Sequence, residues 1–125
     1  MTRPRVFAAL AILLMVVQTV LSSFPMPAMP AGPWFGTDKI LHGMAWAAMG
    51  ACLALAAPRP RWTTALVAVA LAVGFGALDE LHQSYVPGRD ASVKDLLADL
   101  TGALVGASVA TWYGRRRWRS GPSAA

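Results

Sequence analysis

Residues 62–85 read WTTALVAVALAVGFGALDELHQSY. No side chain from Trp62 to Leu78 carries a charge, and then Asp79, Glu80, His82 and Gln83 arrive almost together. The stretch is close to the roughly 20 residues a helix needs to cross hydrocarbon. In lipid the backbone has no water to bond, so a lone span must be a helix. A barrel strand would alternate strictly between apolar and polar residues, which this stretch does not. The reading is a transmembrane helix that ends in ionisable groups.

Three further apolar stretches extend this reading: Val6–Phe24, Ile40–Ala57 and about Val93–Tyr113. The composition agrees with them. Of 125 residues, 56% are hydrophobic and 14% charged, against roughly 25% charged in a soluble domain. A water-soluble chain this short has too little interior to hide so much apolar surface. The expected fold is all-α: a four-helix transmembrane bundle forming a single domain over residues 1–125. The one cysteine, Cys52, lies in an apolar run and provides neither a disulfide framework nor a thiolate metal cluster.

The net charge of +5 is placed in a way that argues against nucleic acid as a partner. Arg3 and Arg5 precede the first run, Arg59 and Arg61 sit in the break after the second, and Arg115, Arg116, Arg117 and Arg119 follow the last. Under the positive-inside rule these clusters put both termini and the 58–61 turn in the cytoplasm. The 25–39 and 86–90 segments then face outside. The first run, led by two arginines, also resembles a secretory signal peptide, but it lacks a good small-residue cleavage pattern. FPMPAMPAGP at 24–33 is too rich in proline to be helical and reads as an outer loop. Trp34, Phe35, Trp62, Trp112, Tyr113 and Trp118 suit the membrane interfaces. Gly102 and Gly106 form GxxxG, while Gly43, Ala47 and Ala51 form a similar small stripe. Both are packing faces, and a homo-oligomer seam through Gly102 and Gly106 is one use of the first.

All six acidic residues and both histidines lie between Asp38 and Asp99, each at the outer end of a span or in an outer loop under this topology. Ionisable groups in a membrane mark functional sites by default. Asp38 with His42, Asp79 with Gln83, and Asp95 with Asp99 are each four apart, so each pair shares a helix face. His42 and Asp99 lie about 6 Å deeper than Asp38 and Asp95. A polar pocket that opens outward would satisfy all of them. Simpler roles compete for several of these residues. Asp38 can cap a helix, and Ser92 with Asp95 resembles a capping box. His82 near a helix C-terminus can complement the dipole. Pro87 and Gly88 suit a tight turn, and Arg89 can neutralise Asp90 or Glu80. Capping accounts less well for Asp79, Glu80, His42 and Asp99, which are the candidate catalytic residues. Arg89, Lys39, Gln83, His82, Asp38 and Asp95 are the candidate binding residues.

DKILHGMAWAAMG (Asp38–Gly50) and LDELHQSYVPGRDASVKDLLADLTGALVG (Leu78–Gly106) resemble the VanZ-like family of small bacterial membrane proteins, named for a teicoplanin-resistance protein. The patterns D-K-x-x-H and D-E-x-x-Q-x-x-x-P-G-R-x-x-x-x-x-D carry the resemblance over the last three spans. Asp99 departs from the Asn expected in that family and adds a carboxylate. The resemblance implies a bacterial inner-membrane protein acting at the outer face, near cell-wall precursors.

Three functions follow. The first is binding or modification of an envelope-associated, lipid-linked or anionic molecule, with Arg89 and Lys39 engaging a phosphate or carboxylate. The second is an enzyme using Glu80 or Asp79 as base and His42 or His82 as acid or metal ligand, zinc and manganese being the metals such donors suit. No metal site is indicated by spacing, since H-E-x-x-H, a nucleophile elbow and a P-loop are all missing. No cofactor can be named. The third is proton-linked transport, against which the apolar inner halves of the spans argue. A purely structural accessory role remains if the polar groups only lock helix ends together. Membrane lipids are the expected surroundings in every case.

Overall fold

A computed structural model of the chain describes residues 3–25 and 37–119, except for the side chains of residues 37, 38, 118 and 119. Four helices account for most of the described residues: α1 (Arg3–Ser22), α2 (Thr37–Leu55), α3 (Trp62–Gln83) and α4 (Val93–Arg119). No strand occurs among them, and the all-α reading holds. α1, α3 and α4 are each long and apolar enough to span a membrane, whereas α2 offers a shorter apolar stretch, Lys39–Leu55. At 1.5 Å per residue that stretch covers about 25 Å, less than the ~30 Å of hydrocarbon, because the first turn of α2 is polar.

The helices start and stop for local reasons. The backbone N–H of Arg61 donates to Thr64 Oγ1 at 3.1 Å, satisfying a donor where α3 begins. After α3, Arg89 N–H donates to Val86 O at 3.1 Å across Pro87 and Gly88, and Gly88 has φ 78°. This is the turn expected of Pro followed by a residue that must take positive φ. α4 runs about a turn and a half past the expected Tyr113. Its arginines lie over aromatic rings there: Arg116 is 3.9 Å from the Trp112 ring centre, Arg117 5.2 Å from Tyr113 and Arg115 5.9 Å from Trp62.

Contacts between helix ends give the direction of each helix. Arg3, Leu55, Pro60 and Gly114 border one apolar cavity of about 690 Å³, so the start of α1, the α2–α3 turn and the end of α4 share one end of the bundle. Ser22 meets Asp79, His42 meets Asp99, and Ser92 meets Glu80 at the other end. The four helices therefore alternate in direction, with α2 parallel to α4. They form an arginine end and a polar end.

The packing suits lipid. Small side chains fill the interior, among them Ala65, Ala68, Ala72, Ala103, Ala107 and Ala110, joined by Trp46 and Met49. The bulky residues Leu66, Val67, Leu71 and Leu78 of α3 and Leu104, Val105 and Val109 of α4 point outward. A soluble bundle sorts its residues the other way. Small residues inside allow close helix approach where lipid supplies no hydrophobic drive.

The most extensive interface joins α2 to α4. A Cβ on Gly102 would collide with the carbonyl oxygen of Gly43, and one on Gly106 with that of Ala47. A Cβ on Gly50 would lie 2.6 Å from Ala103 O. The GxxxG stripe is thus engaged by α2 of the same chain, and an oligomer built on Gly102 and Gly106 would have to share that surface. α1 lies at the periphery, touching α2 and α3 but not α4.

Candidate functional site at the polar helix ends

The sequence candidates gather at one end of the bundle in two adjoining groups. Asp79 centres the first. It sits in the last turns of α3, 4% exposed. Ser22 Oγ donates to its Oδ1 at 2.5 Å, and Gln18 Nε2 and Gln83 Nε2 donate to its Oδ2 at 3.2 and 2.9 Å. An ionised carboxylate only accepts, and here it meets only donors. The orientation of the Gln83 amide follows from Arg89, whose Nη1 donates to Gln83 Oε1 at 3.1 Å. A guanidinium only donates, so the amide oxygen must face it and the amide NH₂ must face Asp79.

Arg89 also holds α1. Its Nη2 donates to Leu21 O at 3.2 Å and its Nε to Phe24 O at 3.3 Å, two carbonyls at and just beyond the C-terminal end of α1. Among the described residues no carboxylate lies within 4.0 Å of this guanidinium, so the simpler alternative, contact with Asp90 or Glu80, does not account for Arg89. Exposed His82 reaches α1 as well, with Nε2 2.9 Å from Ser23 Oγ. Ser23 gives its one hydroxyl hydrogen to Thr19 O at 2.6 Å, which makes His82 the donor.

The second group joins α2, α3 and α4. His42 Nδ1 lies 3.1 Å from Asp99 Oδ1, and Asp99 is fully buried. The imidazole stacks on Trp46, ring centres 5.5 Å apart and planes 10° from parallel. Trp46 is itself fixed, donating from Nε1 to Ala72 O at 3.0 Å. Gly76 leaves room here, since a Cβ there would be 3.0 Å from both Asp99 Oδ2 and Trp46 Nε1. Glu80 Oε2 accepts from the Ser92 N–H at 2.6 Å. Asp95 N–H donates to Ser92 Oγ at 3.2 Å, which is half of the expected capping box. The other half is replaced: Glu80 takes the cap N–H, and the Asp95 side chain pairs with Lys39 Nζ at 2.7 Å instead. Glu80 Oε1 and Asp99 Oδ2 are buried without a hydrogen-bond partner.

Asp38 lies in the first turn of α2, and its side chain falls outside the described residues, as do Trp34, Phe35 and the side chain of Trp118. Gln18, Ser22 and Trp46 belong to the network although sequence reasoning did not select them. A signal for the first two exists: Gln18 interrupts the apolar run of α1, and Ser22 follows it by four residues on the same face. Trp46 has no such signal, because an indole inside an apolar span resembles any core residue.

A family model described as VanZ/LLP1 matches residues 5–114, which includes α1 as well as the three helices that carry the motifs. No curated protein and no solved structure gives a match.

Proposed function

Because the chain belongs to the VanZ/LLP1 family, we propose that it is a multi-pass membrane protein whose polar end engages an anionic, lipid-linked molecule of the cell envelope. The arginine end then lies in the cytoplasm and the polar end outside, as the positive-inside rule favours. The observation that carries the reading is the state of Arg89. Its three hydrogen bonds go to a glutamine amide and two backbone carbonyls, all neutral. A guanidinium has five N–H donors, so two remain among the described contacts, and no carboxylate among the described residues neutralises its charge by direct contact. This anchoring holds the side chain in place without satisfying its charge, which suits an arginine that waits for a phosphate or carboxylate. Apolar surface on the outward sides of α1 and α3 would accommodate the lipid chain of such a ligand.

The two polar groups divide the work in this reading. Asp79 has both oxygens occupied by three donors and ties α1 to α3. The ligand-facing role falls to Arg89, with Lys39 near the α2 start as a second cation, half-exposed and paired with Asp95.

The test is retention of a polyprenyl phosphate by the full-length protein, measured by native mass spectrometry from detergent with uncharged polyprenol as comparison and a chelator present throughout. The phosphate should be retained and the alcohol not. Arg89→Ala should weaken retention at least about tenfold, equivalent to 1.4 kcal/mol. Arg89→Lys keeps the charge but not the fork and should fall between. If polyprenyl phosphate, phosphatidylglycerol and cardiolipin all bind Arg89→Ala as well as the parent, the reading is wrong.

A further inference from the structure

We propose that His42, Glu80 and Asp99 form a binding site for one divalent transition-metal ion, of the Zn²⁺ or Mn²⁺ class, between α2, α3 and α4. One ligand atom from each residue lies within 4.8 Å of the other two. Ligands at about 2.0–2.2 Å from a common ion stand roughly 3–4 Å apart, so side-chain adjustment of about 1 Å closes the set. No sequence motif announces it, because each helix supplies a single ligand.

A second observation is independent of that spacing. Glu80 and Asp99 are 6% and 0% exposed, and each keeps one carboxylate oxygen, Oε1 and Oδ2, without a hydrogen-bond partner. Buried oxygens left without a donor are costly, and more so when charged. The protein donors nearby are committed elsewhere: the Ser92 N–H goes to Glu80 Oε2, Trp46 Nε1 to Ala72 O, and Lys39 pairs with Asp95. A cation would satisfy what these donors do not.

Charge and chemistry fit the same occupant. Two carboxylates and a neutral imidazole balance one divalent ion, which matters where the dielectric is low. One imidazole with two carboxylates suits zinc or manganese better than a thiophilic metal. Three protein ligands leave coordination positions open, as in sites that also bind water or substrate. The remaining contacts orient the ligands as outer partners do: Trp46 stacks against the His42 ring and Ser92 N–H fixes Glu80.

The proposal concerns different residues from the Arg89 reading, and its test contains no lipid. Purified full-length protein is stripped with a chelator, returned to chelator-free buffer, and titrated with Mn²⁺ and with Zn²⁺ by calorimetry. The expected result is saturable binding of about one ion per chain, with a raised melting temperature. Glu80→Gln and Asp99→Asn should each lower the affinity at least about a hundredfold, while Asp90→Asn, at an exposed position, leaves it unchanged. Pulsed electron paramagnetic resonance of the Mn²⁺-loaded parent should show ¹⁴N coupling from a bound imidazole, and this requires no variant to fold. Lack of saturable binding by both ions overturns the proposal. So does Mn²⁺ bound without ¹⁴N coupling, or affinity unaltered in both carboxylate variants.

Discussion

Asp79→Ala is expected to destabilise the folded bundle by about 3–4 kcal/mol, a loss larger than most single substitutions produce. The carboxylate receives hydrogen bonds from Ser22, Gln18 and Gln83 in a buried position. Each bond to an ionised group is worth roughly 1.5–3 kcal/mol, and the three share one acceptor, so their sum is an upper limit. Truncation also leaves the three donors facing a space with no acceptor. The damage should concentrate on α1, which packs only on α2 and α3 and would keep, of its polar ties to α3 and the turn after it, just the exposed bonds to Arg89 and His82. Unfolding followed by circular dichroism in mixed micelles gives the overall loss, and hydrogen exchange should show α1 amides opening first. Asp79→Asn should lose about half as much, because the new amide keeps one acceptor but turns a donor toward the donor groups around it. A parent-like melting curve for Asp79→Ala would mean that the network does not hold α1.

The second large effect should arise at the seam of α2 and α4. Gly102→Ala and Gly106→Ala each place a methyl group against a backbone carbonyl of the facing helix, that of Gly43 or Ala47. Backbone cannot rotate away as a side chain can, so the helices must separate. Overpacking of this kind costs about 1–3 kcal/mol per site, and the double variant should fail to form a stable bundle. Gly74→Ala is the control. A Cβ there has nothing within 4 Å, and alanine is the better helix former by up to about 1 kcal/mol, so that variant should be as stable as the parent or more so. Helix association in micelles, read from unfolding midpoints, separates the two signs. Equal stability for all three variants would show that close approach at the seam does not matter.

The helices and their approximate limits were legible because the cost of an unbonded backbone in lipid leaves few alternatives to a long apolar helix. Charge placement foretold that arginines and acids would occupy opposite ends, and the topology brings Ser22 to Asp79 and Ser92 to Glu80 as that required. The motif residues also revealed the family. Where the reading was incomplete, the missing information lay in partner choice. For Arg89, charge offered Asp90 or Glu80 as a simple alternative to ligand binding, yet its bonds go to Gln83 and to two carbonyls at the end of α1, because the Pro87–Gly88 turn carries it back over that helix. Ser92 and Asp95 formed only half of a capping box, because Glu80 from another helix took the remaining N–H.

Taken alone, the order of residues determined that the chain forms lipid-compatible helices, that its acids and histidines collect at the end opposite the arginine clusters, and which family it belongs to. Those properties come from local hydropathy and short-range spacing, each settled within a few turns of one helix. Tertiary structure alone decided which acid meets which donor, that Gly102 and Gly106 receive α2 of the same chain, and that His42, Glu80 and Asp99 stand together with two oxygens unpartnered. Such pairings join residues as many as 61 positions apart, and they depend on helix rotation and depth, which packing against neighbours determines and which leaves no periodic trace in any single segment.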